Sequence, residues 1–272
     1  VPSEDITPPA PIEEPPEQAR MSLVEHLQEL RTRLIRAFIA IGVGFVIAYM
    51  IRKTLFQLLT WPIREVSGGK VLLIGTGVAE AFYAEIKVAL IAGLFIASPA
   101  VFYEIWKFIA PGLYETERKM ARPFVILATI FFVLGGYFCW AVVFKVAYRF
   151  FLEQYTTLGL TPMFTINEYL AFTSRLLLAF GLTFEMPIFA FFFTKLGMID
   201  YKMMFSYWRY AIVAIFIVSA ALTPPDIYSM FLLAIPLVLL YAISVGVAWM
   251  FRLKPAEKPA ATTTKPEQPE SV

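Results

Sequence analysis

The chain has 272 residues, of which 59% are hydrophobic and only 16% charged, with a mean hydropathy of +0.68. Soluble domains run at about 45–50% apolar and about 25% charged, so a water-solvated fold of this length would lack the polar surface it needs. The net charge of +2 comes with no basic stripe able to neutralise phosphates, which argues against nucleic-acid binding.

Residues 1–20 interleave Pro2, Pro8, Pro9, Pro11, Pro15 and Pro16 with Glu4, Asp5, Glu13, Glu14 and Glu17. Such a segment buries too little apolar area to offset its ordering entropy, and a disordered tail is expected. Residues 254–272 share the bias, with Pro255, Pro259, Pro266 and Pro269 among Ala, Thr, Lys and Glu. The folded domain is expected over 21–253. Val1 opens the chain and Met21 is a second possible start. The first apolar segment has no small-residue cleavage site at its end and is read as a retained span.

The segment 22–36 reads SLVEHLQELRTRLIR. Ser22 followed by Glu25 fits a capping box, and Leu23, Leu27, Leu30 and Leu34 recur at helical spacing. An amphipathic interfacial helix running into the first span is expected. A bilayer core about 30 Å thick needs about 20 helical residues. Apolar runs of that kind lie at roughly 34–51, 81–105, 123–146, 168–194, 208–222 and 227–251. The fifth is short, bounded by Arg209 and by the turn Thr223-Pro224-Pro225-Asp226. The runs lack the period-two alternation of barrel strands, so strands are not expected. Pro99, Pro187 and Pro236 should kink their helices. The connections 52–80 and 147–167 are the longest.

The fold class is therefore all-α, with six transmembrane helices. With the N-terminus cytoplasmic, fifteen of the 23 Lys and Arg fall on the inner side and six on the outer, with Lys87 and Arg175 inside spans. The asymmetry favours both termini on the cytoplasmic side. Cys139 stands alone in an apolar run, so an intrachain disulfide is impossible and the side chain is expected to pack as a small hydrophobe.

Several acids invite a functional reading beside a plain one. Glu29 lies on the polar side of the interfacial helix, where it can pair with Arg33 at i,i+4. In the loop FIAPGLYETERK (108–119), Glu117 follows a candidate cap, Thr116, in the first turn of a helix, where the macrodipole favours an anion. The start of the first span and the end of the second share one side of the membrane, so Glu29 and Glu117 could face one groove. Two carboxylates there would suit a ligand with two guanidinium groups, although spacing alone does not select them over Glu25, Glu104 or Glu115. Glu185 lies about midway through the fourth span, where an ionised acid costs about 2.5–3.5 kcal/mol on insertion scales. It should face a cavity, find a polar partner or stay protonated. Asp226 can be an N-cap of the sixth helix or a functional acid.

Other chemistries are disfavoured. His26 is the only histidine, there is no zinc-protease motif, no membrane-embedded Ser–His pair and no phosphate-binding loop. No enzyme activity, metal or cofactor is expected. A small-solute or proton-coupled transporter would account for Glu185, but not for the cytoplasmic acids or the interfacial helix, and no internal repeat supports it.

Four segments then carry a resemblance: HLQELRTR at 26–33, SPAVFYEIWKFIAPGLYETERK at 98–119, AFGLTFEMP at 179–187 and LTPPD at 222–226. In order and spacing they resemble TatC, the family of twin-arginine protein translocase receptors, over roughly residues 21–252. Met230 departs from the pattern, since some members carry a polar residue there. The resemblance implies a curved, cupped bundle of six helices in the bacterial cytoplasmic (inner) membrane. It implies binding of N-terminal signal peptides bearing consecutive arginines, on folded cargo exported with the proton-motive force. It assigns Glu29 and Glu117 to the arginine pair, and gives Leu23, Arg31, Phe108, Arg118 and Pro62 a part in receptor function or integrity. It assigns Glu185 to contacts with single-span partner subunits of the TatA and TatB types, in a multimeric receptor, and places Asp226 in a motif of the transport machinery.

Overall fold

The computed structural model describes residues 23–69, 71–109 and 121–252. The two tails expected to be disordered lie outside these residues, as does Ser22 of the expected capping box.

Helix α1 (Leu23–Met50) runs unbroken from the amphipathic segment through the first span. Its apolar side chains, Phe38, Ile39, Val43 and Val46 among them, are exposed, as lipid-facing residues are. Helix α3 (Glu80–Ile109) returns antiparallel against it. The two meet through small residues at four-residue spacing: Gly44 and Ala48 on α1, and Ala89, Gly93 and Ala97 on α3. A Cβ on Gly93 would lie 2.6 Å from the amide nitrogen of Phe45. Within a membrane, where lipid competes for apolar contact, such close backbone approach is what holds helices together.

That crossing fixes the register of the residues on either side of it, including Arg52 at the start of the next helix. Arg52 lies eight residues after Gly44 and Glu85 eight before Gly93; they form an ion pair at 2.6 Å. Arg33 lies eleven residues before Gly44 and Glu104 eleven after Gly93; they too are paired, at 3.3 Å. Glu85 and Glu104 are nineteen residues apart on α3, about 28 Å along its axis, close to the thickness of a hydrocarbon core.

Helix α2 (Arg52–Val66) occupies the first long connection, where the sequence reading expected a loop. Leu55, Leu59 and Ile63 recur at i and i+4 and face the core, a signal that Pro62 obscured. Pro62 is fully buried inside this helix. It lacks the N–H that would bond the carbonyl of Leu58; the indole of Trp140 donates to that carbonyl instead, at 2.8 Å. The hydroxyl of Tyr169 donates to the next carbonyl, Leu59, at 2.7 Å.

The third span is longer than expected, from Arg122 to Thr157. It is built from α4 (Ala121–Phe138), a π-helical turn (Cys139–Val143) and α5 (Phe144–Thr157). The π-turn carries Trp140, and π-helical segments of this kind occur mostly as single turns inside α-helices. Cys139 is fully buried, as expected of a packed hydrophobe.

A second correction concerns strands. β1 (Leu72–Ile74) and β2 (Met163–Thr165) pair in parallel, Leu73 opposite Phe164. Three residues are too few to show an alternating pattern, so periodicity could not find them. Glu80 ties the same two connections: Oε2 accepts from the amides of Thr76 (2.5 Å) and Gly77 (3.1 Å), and Oε1 from the amide of Asn167 (2.9 Å).

The fourth span breaks in the middle. α6 (Ile166–Thr183) ends before Phe184 and Glu185, and α7 (Met186–Lys195) restarts with Pro187 in its first turn. By contrast Pro99 and Pro236 sit inside continuous helices. After α8 (Tyr201–Ser206) comes the short fifth span, α9 (Trp208–Leu222), and then α10 (Ile227–Met250). Five helical stretches are long and apolar enough to cross a membrane and α9 is the shorter sixth, among the described residues. The all-α, six-span fold class expected from the sequence is thus the observed one. Trp106 packs on Phe124 and Phe192, at 4.9 and 4.7 Å between ring centroids, gathering the ends of α3 and α7 with the start of α4 on the face where α1 begins.

Candidate functional site

On that face the start of α1 and the end of α3 are in contact. His26 stacks on Phe108 with ring centroids 4.6 Å apart. One and two helical turns further along α1 come Glu29 and Arg33, and Arg33 bonds both Glu29 and, across on α3, Glu104. Arg33 divides its guanidinium between them: Nη2 meets Glu29 Oε1 at 2.9 Å and Nη1 meets Glu104 Oε2 at 3.3 Å. The three side chains are 17% (Glu29), 20% (Arg33) and 13% (Glu104) exposed. Glu29 Oε2 and Arg33 Nε are buried without a hydrogen-bond partner among the described residues. A cleft of about 300 Å³ opens beside them, lined by Glu25, Gln28, Glu29, Thr32, Arg33 and Arg36.

The i,i+4 pairing of Glu29 with Arg33 is therefore present, and it uses only one carboxylate oxygen. Two acids share one guanidinium, so the three groups together carry one negative charge. A carboxylate in this position, with its second oxygen buried but unpartnered among the described residues beside a polar cleft, retains the capacity to accept a further guanidinium N–H.

The remaining site residues are spread more widely. Arg31 is exposed on α1. Leu23 begins α1, and its side chain lies outside what is described. Glu117 and Arg118 lie outside the described residues altogether. Pro62 belongs to the opposite end of the bundle, locked under Trp140 and Tyr169. Asp226 is an N-cap: its carboxylate accepts from the Ser229 amide at 2.6 Å and from the Ser229 hydroxyl at 2.5 Å.

Glu185 sits at the break in the fourth span, 2% exposed. Neither carboxylate oxygen has a hydrogen-bond partner among the described residues; the backbone of Phe132 approaches without completing one. Phe132 also packs against Gly181, leaving no room for a Cβ there. The acid is thus held in an apolar seam between α4 and the α6–α7 joint, at a cost that folding alone does not explain.

Arg33 and Glu104 are more central in the structure than their sequence positions indicate, where Arg33 is a local i,i+4 partner of Glu29 and Glu104 one of several equivalent acids. Their equal offsets from Gly44 and Gly93 would have paired them, had the glycines been recognised as a crossing. Among the described residues no group of three or more His, Cys, Asp or Glu is arranged to hold a metal ion.

Comparison with known proteins bears on this geometry. The family described as Sec-independent protein translocase protein (TatC) matches residues 25–236. A protein of that name from Desulforapulum autotrophicum is 41% identical over 238 residues, 88% of each chain. One from Campylobacter jejuni is 37% identical over 86% of this chain and 96% of its own. A crystal structure described as the twin arginine translocase receptor TatC superposes with a TM-score of 0.76 at 37% identity, covering 84% of this chain and 99% of that one. The matched span takes in α1 to α3 with their ion pairs, the π-turn and the broken fourth span, and on these grounds the chain belongs to the TatC family of multi-pass membrane translocase components.

Proposed function

We propose that the chain is the receptor of a twin-arginine translocase, gripping the consecutive arginines of signal peptides with carboxylates at the cytoplasmic face of the bacterial inner membrane. The observation that carries this reading is the half-satisfied carboxylate of Glu29, one oxygen on Arg33 and the other buried without a partner among the described residues, beside a polar cleft. Glu117 is the second acid of the pair. Leu23, Arg31, Phe108 and Arg118 frame the peptide. Both termini face the cytoplasm, in keeping with the fifteen-to-six distribution of Lys and Arg.

An arginine guanidinium binds a carboxylate through two parallel N–H bonds, each charge-assisted bond being worth about 1.5–3 kcal/mol. Lysine carries the same charge without the fork. While the arginines are held at headgroup level, the apolar segment that follows them partitions into lipid or an adjoining groove. The chain performs no covalent chemistry in this scheme. TatA-type and TatB-type single-span subunits dock on it in a multimeric complex, with Glu185 as the polar contact that a partner helix completes. Asp226 and Pro62 hold the shape of the opposite face. Export of folded cargo draws on the proton-motive force, which supplies about 2.3 kcal/mol per charge per 100 mV.

Copurification with a twin-arginine peptide, against the same peptide carrying two lysines, tests this. The arginine peptide is expected to be retained and the lysine peptide lost. Glu29→Ala and Glu117→Ala should each abolish crosslinking to the arginine peptide. Retention of both peptides alike, or wild-type crosslinking by both variants, would refute the assignment.

A further inference from the structure

We propose that Arg33 is a built-in competitor for the guest arginine: it occupies Glu29 until a peptide arrives and is then taken up by Glu104 alone. This rests on Glu29 being a peptide-binding acid and adds how its occupancy is regulated.

Three observations lead there. Arg33 contacts each acid through a single nitrogen, Nη2 to Glu29 and Nη1 to Glu104, so neither contact is the two-bond fork that makes such pairs strong. The atoms a fork would use, Glu29 Oε2 and Arg33 Nε, are the ones buried without a partner among the described residues. The pairing is thus incomplete on both sides, and an incomplete buried pair is the weaker competitor against a guest that offers a full fork.

Charge points the same way. Two carboxylates and one guanidinium sum to one negative charge, and an arriving guanidinium brings the cluster to neutrality. Glu104 is on α3, while Glu29 and Arg33 are on α1. Arg33 can therefore rotate away from Glu29 without losing an acid to hold it. Glu104 is a positioning residue in this account: it acts on Glu29 through Arg33 and does not touch the peptide.

The test is a double-mutant cycle on the full chain in lipid nanodiscs at low ionic strength, titrated with a synthetic twin-arginine peptide. Arg33→Gln removes the competitor and is expected to tighten binding about tenfold. Glu104→Gln leaves Arg33 with Glu29 as its only acid and is expected to weaken binding about tenfold. In the Arg33→Gln background the Glu104→Gln effect is expected to shrink to the loss of one nearby charge, because there is no arginine left to hand over. Arg33→Lys, which keeps the charge but loses the reach to both acids, should tighten binding by a smaller factor and serves if Arg33→Gln fails to fold. Weaker or unchanged binding in the Arg33 variants would overturn the exchange, as would an equal Glu104→Gln loss in both backgrounds, which would mean direct contact with the peptide. Glu29→Gln separates the two levels. Wild-type binding by that variant would sink the peptide site itself; lost binding without tightening by the Arg33 variants would sink only the exchange.

Discussion

The indole of Trp140 donates a hydrogen bond to the carbonyl of Leu58, four residues before Pro62. The proline of one helix and the tryptophan of another are therefore a single unit: one withdraws an N–H and the other replaces it. Trp140→Phe should leave that carbonyl unbonded and cost about 1–3 kcal/mol. Adding Pro62→Ala should recover part of the loss, since the substituted alanine has an N–H of its own. Thermal unfolding in detergent of the two single variants and the double variant reads this coupling; additive losses would disprove it.

Gly93 and Gly42 are predicted to respond oppositely to one methyl group. At Gly93 a Cβ meets the α1 backbone at Gly44 and Phe45, so Gly93→Ala should force the helices apart and destabilise by about 1–3 kcal/mol. At Gly42, beyond the helix's own neighbouring backbone, no described atom lies within 4 Å of where a Cβ would sit, and Gly42→Ala should be neutral or stabilising by up to about 1 kcal/mol through helix propensity. Melting temperatures of the pair check the contrast. Only Gly93→Ala should also release the Arg52–Glu85 contact, seen as faster proteolysis near the joint of α1 and α2.

Glu185 is predicted to set stability against export. Replacing a buried carboxyl that has no partner with an apolar side chain of similar length removes its desolvation penalty. Glu185→Met should therefore raise stability by about 1–3 kcal/mol while lowering transport of folded cargo. Signal-peptide binding, measured in parallel, should be unaffected. A variant that is both more stable and fully active in export would remove Glu185 from the transport mechanism.

Acid should loosen α2. Glu65 lies 2.8 Å from Lys145 and accepts from the indole of Trp61, and the lysine, as the larger influence, holds its carboxyl below the ordinary range. The folded state thus binds this proton more weakly than the unfolded one. The contact is fully present above the unfolded value of about 4.3 and is lost as pH falls through the lower folded value. Trp61 fluorescence followed below pH 5 should report the release. Lys145→Met should remove the depression, so that the change occurs at higher pH; an identical acid profile would show that Lys145 is not its cause.

What the sequence disclosed follows from how strongly each feature is written in it. Long apolar runs announce spans, so the six helices and the membrane setting were legible, as was the capping potential of Asp226. The joint at Glu185 was marked by Pro187, although the same residue type at Pro99 and Pro236 interrupts nothing, because surrounding helices absorb the missing bond. Helix α2 was hidden because a buried proline reads as a breaker until the donors Trp140 and Tyr169, far away in the chain, are seen beside it. The β1–β2 pair depends on two connections meeting in space, which no local pattern encodes. At the candidate site Glu29 was picked out and its i,i+4 partner named, yet the role of Glu104 depended on the glycine crossing between two helices.

The two ion pairs that tie α3 to α1 and to the start of α2 act as a gauge. Because Arg33–Glu104 and Arg52–Glu85 lie at equal offsets from one pivot, deleting a single residue between the pivot and either pair turns the affected side chain by about 100° and breaks that pair. Inserting a residue in both helices at once would keep the pairs and lengthen the apolar stretch between them, at a cost set by hydrophobic mismatch. The number of residues between Glu85 and Glu104 is thus bound to the thickness of the bilayer in which the protein works.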